Sequence, residues 1–254
     1  MSDGENQDQS LTPRVALITG GARGIGRAIG LDLARAGWAV AFCYRTSAGA
    51  AEETRRAIEA TGVPALPVQA DVSDPDVAEA LVRRVESTWG RVDALINCAG
   101  PYHRVDLLQE TPAGWREMFD GNLHPVFYLS RAVAPGMVAR RWGRILAFAM
   151  APADQLTAQP NVTAHYIAKA GVLVLVRSLA RVLASHGVTV NAISPGFIDS
   201  GSAPPGELDG MRPRIPAGYV GAVADAVAAA RYLLSEEARY VTGTNIHVSG
   251  GWGI

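Results

Sequence analysis

Short apolar runs alternate with longer amphipathic stretches along the chain. The runs lie at 14–20 (RVALITG), 38–45 (WAVAFCYR), 65–71 (ALPVQAD), 92–100 (VDALINCAG), 143–150 (GRILAFAM), 188–194 (VTVNAIS) and 245–250 (NIHVSG). They are mostly continuous rather than alternating, which predicts strands covered on both faces. Helical spacing between them predicts helices over 24–37, 48–61, 75–89, 112–139 with a break near Pro135, 161–186 and 220–235. Strict alternation of strand and helix predicts an α/β fold, a doubly wound parallel sheet flanked by helices, in a single domain spanning 13–254. The segment 199–219 is rich in Pro and Gly and too long for an ordinary connection, so it is expected to be a substrate lid or binding loop.

Composition narrows the function classes. Hydrophobic residues make up 48% and charged residues 19% of 254 residues, and the formal net charge is −1. A globular chain of this balance has no charge-based reason to bind nucleic acid or an anionic membrane. No apolar run reaches the ~18–20 residues that span a bilayer. Residues 1–12 are polar, lack the pattern of a signal peptide, and are expected to form a disordered tail. The two cysteines, Cys43 and Cys98, show neither metal-ligand spacing nor a disulfide framework, which suits a reduced, cytoplasmic setting.

The first chemical signal is TGGARGIG (19–26), between the first strand and the first helix. Gly20, Gly24 and Gly26 allow the backbone to approach a pyrophosphate, and the helix start offers amide donors and a favourable dipole. With this loop the chain resembles the short-chain dehydrogenase/reductase family, over about residues 13–254. TGGARGIG matches the family's TGxxxGxG loop, NCAG (97–100) stands where NNAG is usual, and Asp71 matches the acid at the adenine amino group. SPGFIDS (194–200) matches the PG-x-x-x-T segment beside the nicotinamide, with Ser200 for Thr. The resemblance implies a Rossmann-type fold and a dinucleotide held by Gly20, Arg23, Gly24, Ile25, Gly26, Tyr44, Arg45, Asp71, Val72, Asn97, Ala99, Gly100, Lys169, Pro195, Gly196, Ile198 and Ser200. The second strand ends in Tyr44-Arg45 rather than an acid, and Arg23 lies in the glycine loop. Two guanidinium groups near the ribose suit a 2′-phosphate, so the expected cofactor is NADPH.

The resemblance also implies a catalytic set: an Asn after strand 4, a Ser ending strand 5, and a Tyr-x-x-x-Lys pair. Asn122 and Lys169 fit, and Lys169 is the only lysine in the chain. The Tyr position holds His165, which shares a helical face with Lys169. Tyr166 comes one residue late, about 100° round the helix, and is expected to point away. The Ser position falls at Met150, or at Ala149 in the other register. Neither donates a strong hydrogen bond.

Three readings follow. His165 is the general acid of a carbonyl reductase. Or the acceptor is a C=N carbon (imine, iminium or hemiaminal-derived), for which no alkoxide develops; His165 then shuttles a proton, Met150 forms an apolar wall and Asp154 balances positive charge. Or the chain binds NADPH without turnover, as a sensor or scaffold. The C=N reading is adopted as the expectation, because it explains both lost residues by one cause. The partner expected is a small-molecule substrate, in specialised metabolism or its detoxification, with no nucleic acid and no membrane. The resemblance implies a homotetramer or homodimer. No group of residues has the spacing of a metal site.

Overall fold

The computed structural model describes residues 13–201, 206 and 208–254. The expected tail at 1–12 and part of the expected lid, 202–205 and 207, lie outside these residues.

Seven parallel strands form the main sheet. In chain order they are β1 (Val15–Thr19), β2 (Ala39–Tyr44), β3 (Ala65–Gln69), β4 (Ala94–Asn97), β5 (Gly143–Phe148), β6 (Val188–Pro195) and, after two short strands, β9 (Asn245–Val248). Their order across the sheet is β3-β2-β1-β4-β5-β6-β9. The short strands β7 (Ile198–Asp199) and β8 (Gly221–Ala222) pair with each other and join the ends of the expected lid. The chain runs outward from β1 to β3 and then returns to β4 on the other side. That reversal opens a crevice at the carboxyl ends of β1 and β4.

Continuous apolar strands fit this arrangement because each face of the sheet carries its own core. Val15 and Leu17 of β1 pack into one cluster, Ala16 and Ile18 into the other. The first cluster is covered by α3 (Pro75–Trp89), α5 (His124–Arg140) and α6 (Thr163–Leu183). The second is covered by α1 (Gly24–Arg35), α2 (Ala48–Glu59) and α7 (Val223–Leu234). α3 shows how sharply sequence can bound a helix. The Asp74 carboxylate accepts from the N–H groups of Asp76 and Val77, Pro75 occupies the first turn, and Gly90 closes the helix at φ +76°.

One expectation is corrected. The helix expected over 112–139 is two helices, α4 (Pro112–Asn122) and α5, which part at Leu123 rather than near Pro135. Pro125 has no N–H for the carbonyl four residues back, and its ring crowds that carbonyl. In the first turn of a new helix the same residue costs nothing. Pro135 stays inside α5.

At the amino edge, Asp93 is fully buried and ties strand to strand. One carboxylate oxygen accepts from the Val15 N–H at 2.9 Å, and the other accepts from Arg91 Nη2 at 2.7 Å. No helix among the described residues is long and apolar enough to cross a membrane. Asp93→Ala would leave a partly buried guanidinium and a strand N–H without their partner. The expected outcome in urea denaturation is a loss of about 3–5 kcal/mol; a loss under about 1 kcal/mol would contradict the role given to Asp93.

Candidate active site

The glycine turn is shaped by contacts at two positions. Gly20 has φ +65°, and a Cβ there would stand 3.1 Å from the Ala99 Cα. A Cβ on Gly26 would come within 2.6 Å of the Gly20 carbonyl oxygen, so only glycine lets α1 start this close to β1. Thr19 joins the two loops that flank the crevice: its hydroxyl accepts from the Cys98 and Ala99 N–H groups at 3.1 and 3.0 Å.

These loops border a cleft of about 460 Å³. Gly20, Arg23, Gly24, Ile25 and Gly26 line it from the turn, and Tyr44 and Arg45 line it from the end of β2. Asp71 and Val72 after β3, Ala99 and Gly100 after β4, and Ser200 complete the expected residues found there. Arg45 Nη1 lies 3.9 Å from an Asp71 oxygen. The other Asp71 oxygen accepts from the Ser73 hydroxyl at 2.7 Å, and this bond is the main cause holding the carboxyl below its usual range.

Five expected cofactor residues do not line this cleft: Asn97, Lys169, Pro195, Gly196 and Ile198. Asn97 ends β4 with both amide atoms buried and unpartnered. Pro195 ends β6, where its carbonyl accepts from the Ala151 N–H, and Gly196 N–H donates to the Val248 carbonyl. Ile198 belongs to β7.

The expected catalytic residues gather at the carboxyl ends of β4 and β5. Asn122 ends α4, and its side-chain amide donates to the carbonyls of Pro101 and Met118, each at 2.9 Å. Its carbonyl oxygen is buried without a partner, and a Cβ on Gly100 would collide with it. Lys169 Nζ donates to the Phe148 carbonyl at 2.8 Å, at the last residue of β5. Burial lowers the Lys169 pKa from 10.5 to about 8. His165, one turn earlier on α6, is 8% exposed, and its Nδ1 has no partner among the described residues. Burial first, then the charges of Lys169 and His103, lower its pKa from 6.5 to about 3.

Tyr166 is turned away, as the helical spacing predicts. Its hydroxyl donates to the Pro152 carbonyl at 2.7 Å and accepts from the Thr157 N–H at 3.0 Å. It therefore fixes the loop after β5. Met150 starts that loop, half-buried against the core, while Ala149 is buried.

Asp154, expected to balance positive charge on the substrate, is tied to the edge strand. Its carboxylate is held by His247 Nε2 at 2.8 Å and by the Asn245 side-chain amide at 3.2 Å, both on β9. Burial raises its pKa, but these hydrogen bonds outweigh it and hold the carboxyl below its usual value. The physical reason is proximity: two polar side chains of the edge strand stand within reach of the loop acid.

Two contacts escaped the sequence reading. The Thr19 bridge was signalled by the hydroxyl just before the glycine turn. The edge-to-face contact of the Tyr102 ring with His165, centroids 5.1 Å apart, had no periodic signal because Tyr102 lies in a loop. Cys43 and Cys98 are both free thiols.

Comparison with known proteins agrees with this geometry. A family profile described as "Enoyl-(Acyl carrier protein) reductase" matches residues 20–253. The chain is 38% identical over 239 residues to the 3-oxoacyl-(acyl-carrier-protein) reductase FabG of Staphylococcus aureus, covering 93% of this chain and 96% of that protein. It is 35% identical to the FabG of Pseudomonas aeruginosa, covering 95% and 98%. Among solved structures, acetoin dehydrogenase YohF from Salmonella typhimurium superposes with a TM-score of 0.86 at 29% identity, covering 94% and 96%.

Tyr166→Phe tests the division between site and scaffold. Removing the hydroxyl is expected to cost about 1–3 kcal/mol in urea denaturation, with dinucleotide affinity unchanged by fluorescence titration. Lost affinity at full stability would instead place Tyr166 in the cleft.

Proposed function

The chain belongs to the short-chain dehydrogenase/reductase family and is an NADPH-dependent oxidoreductase, and we propose that it transfers hydride to a carbon of C=N type: an imine, an iminium or a hemiaminal-derived carbon. The observation that carries this reading is the burial of His165 with no partner at Nδ1 among the described residues, which lowers its pKa to about 3. At neutral pH it is an uncharged imidazole beside the lysine.

A carbonyl reduced to an alkoxide needs a preorganised donor at its oxygen, and losing one costs ~10²–10³ in rate. Met150 offers none, and Tyr166 is committed to the Pro152 carbonyl. A C=N acceptor makes a smaller demand. Its nitrogen is more basic than a carbonyl oxygen, and an iminium already carries the positive charge that hydride transfer neutralises. No alkoxide forms, so the pocket does not need a hydroxyl pair.

The shape and chemistry of the cleft suit NADPH, which supplies the hydride. Gly20, Gly24, Ile25 and Gly26 would seat the pyrophosphate against the start of α1. Arg23 and Arg45 would hold the 2′-phosphate. Asp71 and Val72 would border the adenine, with Asn97, Ala99 and Gly100 at the adenosine ribose. Lys169 would hold the nicotinamide ribose, with Pro195, Gly196, Ile198 and Ser200 along the nicotinamide. Asn122 would fix the backbone that carries Lys169's neighbours. In the reacting half of the site, Met150 would form an apolar wall.

One observation favours a second reading, carbonyl reduction: the 38% identity to a 3-oxoacyl reductase. That reading asks His165 to be protonated, which its burial and the neighbouring Lys169 oppose. A homotetramer is proposed for the assembly, with exposed apolar residues of α5 and α6, Phe127 and Val174 among them, turned to a second copy. The free thiols favour the reducing cytoplasm.

The test is NADPH oxidation by the purified protein with matched cyclic imines and ketones. Imine turnover about tenfold or more above ketone turnover is expected. Faster ketone turnover would overturn the C=N reading, and tight NADPH binding with no turnover at all would point to a binding protein.

A further inference from the structure

Three segments at the carboxyl ends of the strands meet at one turn. The turn follows β9, runs from Ser249 to Gly253, and is closed by the Trp252 N–H donating to the Ser249 carbonyl at 3.1 Å. Ser249 lies against the segment that leaves β6: a Cβ on Gly196 would stand 2.9 Å from the Ser249 Cα. Gly250 takes the chain before β8. Its carbonyl accepts from the Ala217 N–H at 2.9 Å, and a Cβ on it would stand 2.9 Å from Ile215 Cγ2. Gly253 takes the loop after β5. Its carbonyl accepts from the Gln155 side-chain amide at 2.8 Å, and a Cβ on it would stand 2.7 Å from Pro152 Cδ. Gly250 and Gly253 have φ +61° and +72°, so backbone and space both call for glycine.

Trp252 is the one large side chain of this turn. Its indole packs on the Phe197 ring, with centroids 4.5 Å apart at 52°. Phe197 lies in the segment 195–200, and that segment reaches the cleft. Ser200 lines the cleft, and a Cβ on Gly24 of the glycine turn would stand 3.6 Å from the Ser200 Cβ. The segment's backbone is held where it leaves the sheet: the Pro195 carbonyl accepts from the Ala151 N–H and the Gly196 N–H donates to the Val248 carbonyl, each at 3.0 Å. Past that point the Phe197 carbonyl accepts from the Gly221 N–H at 3.0 Å, and the Phe197 side chain rests on Trp252.

We propose that Trp252 is a positioning residue for the nicotinamide half of the dinucleotide, acting through Phe197 on the segment 195–200. The proposal rests on the assignment of that segment to the nicotinamide and not on the C=N reading. Trp252 acts without touching cofactor or substrate. It fixes the wall along which the nicotinamide lies, while Arg23, Arg45 and Asp71 hold the adenosine half independently of it. The same turn ties that wall to the loop that carries Met150, so both sides of the reacting half keep one spacing.

Calorimetry with NADPH and with adenosine 2′,5′-bisphosphate, which is the adenosine half alone, separates the two halves without turnover. Trp252→Leu keeps apolar bulk and removes the ring. It is expected to weaken NADPH about 3–10-fold, the worth of one aromatic pair, and to leave the bisphosphate within about twofold of the wild type. Trp252→Phe keeps a ring and is expected to restore NADPH affinity. NADPH bound as by the wild type, or an equal loss on both ligands by a folded variant, would overturn the role. Should Trp252→Leu not fold, Phe197→Leu removes the other ring of the pair and is judged by the same two affinities. Ile198→Ala tests the assignment itself. If it weakens NADPH and Trp252→Leu does not, the assignment stands and the proposal falls; if neither weakens NADPH, both fall. On whichever substrate the wild type turns over, imine or ketone, kcat at saturating NADPH is expected to fall about 10²-fold in Trp252→Leu, because hydride transfer depends on placement to within about 1 Å. An unchanged kcat would overturn the proposal and leave the C=N reading untouched.

Discussion

Desolvation of one helical face governs this site. α6 carries His165 and Lys169 to the same side, one turn apart, where the sheet ends and both are buried. A buried charge is costly unless something answers it. The Phe148 carbonyl answers the lysine, whose pKa still falls to about 8. No group among the described residues answers His165 at Nδ1, so the imidazole gives up its proton first. The site therefore meets its substrate with one cation at most, and that cation is the lysine. A family member built this way cannot offer the strong acid that an alkoxide-forming reaction requires at that helical position.

The fold explains why the chemistry sits there and not elsewhere. Crossing from β3 back to β4 opens the crevice, and the Thr19 hydroxyl binds its two flanking loops together. The loop after β5 is fixed from three directions. Tyr166 holds Pro152 and Thr157, the Gln155 amide donates to the Gly253 carbonyl, and Asp154 is held by β9. A loop held so firmly keeps Met150 and Asp154 in place. Adaptability is left to the chain after β4, where Tyr102 stands in water.

Most of the architecture was legible because both signals behind it are local. Apolar runs and helical spacing placed every main strand and gave α3 its bounds. The division at Leu123 was harder to read, since two prolines competed and only the packed structure decides which one interrupts a helix. At the site, helical rotation was enough to turn Tyr166 away from Lys169. The ties of Asp154 were not legible because its partners, Asn245 and His247, lie some ninety residues later and meet it only in the folded sheet. The contact of Tyr102 with His165 stayed hidden for the same reason: an edge-to-face contact between a loop and a helix leaves no trace in spacing.

The central claim is that His165 is uncharged in the working protein. A pH titration by NMR, following the imidazole carbons of histidine-labelled protein with His165→Gln used for assignment, measures it directly. The account predicts that the His165 resonances stay at neutral-imidazole positions from pH 8 down to about pH 4, below the range where an exposed histidine titrates. A midpoint near 6.5 for His165 would contradict it, because the site would then hold an ordinary acid and the argument from a missing donor would end.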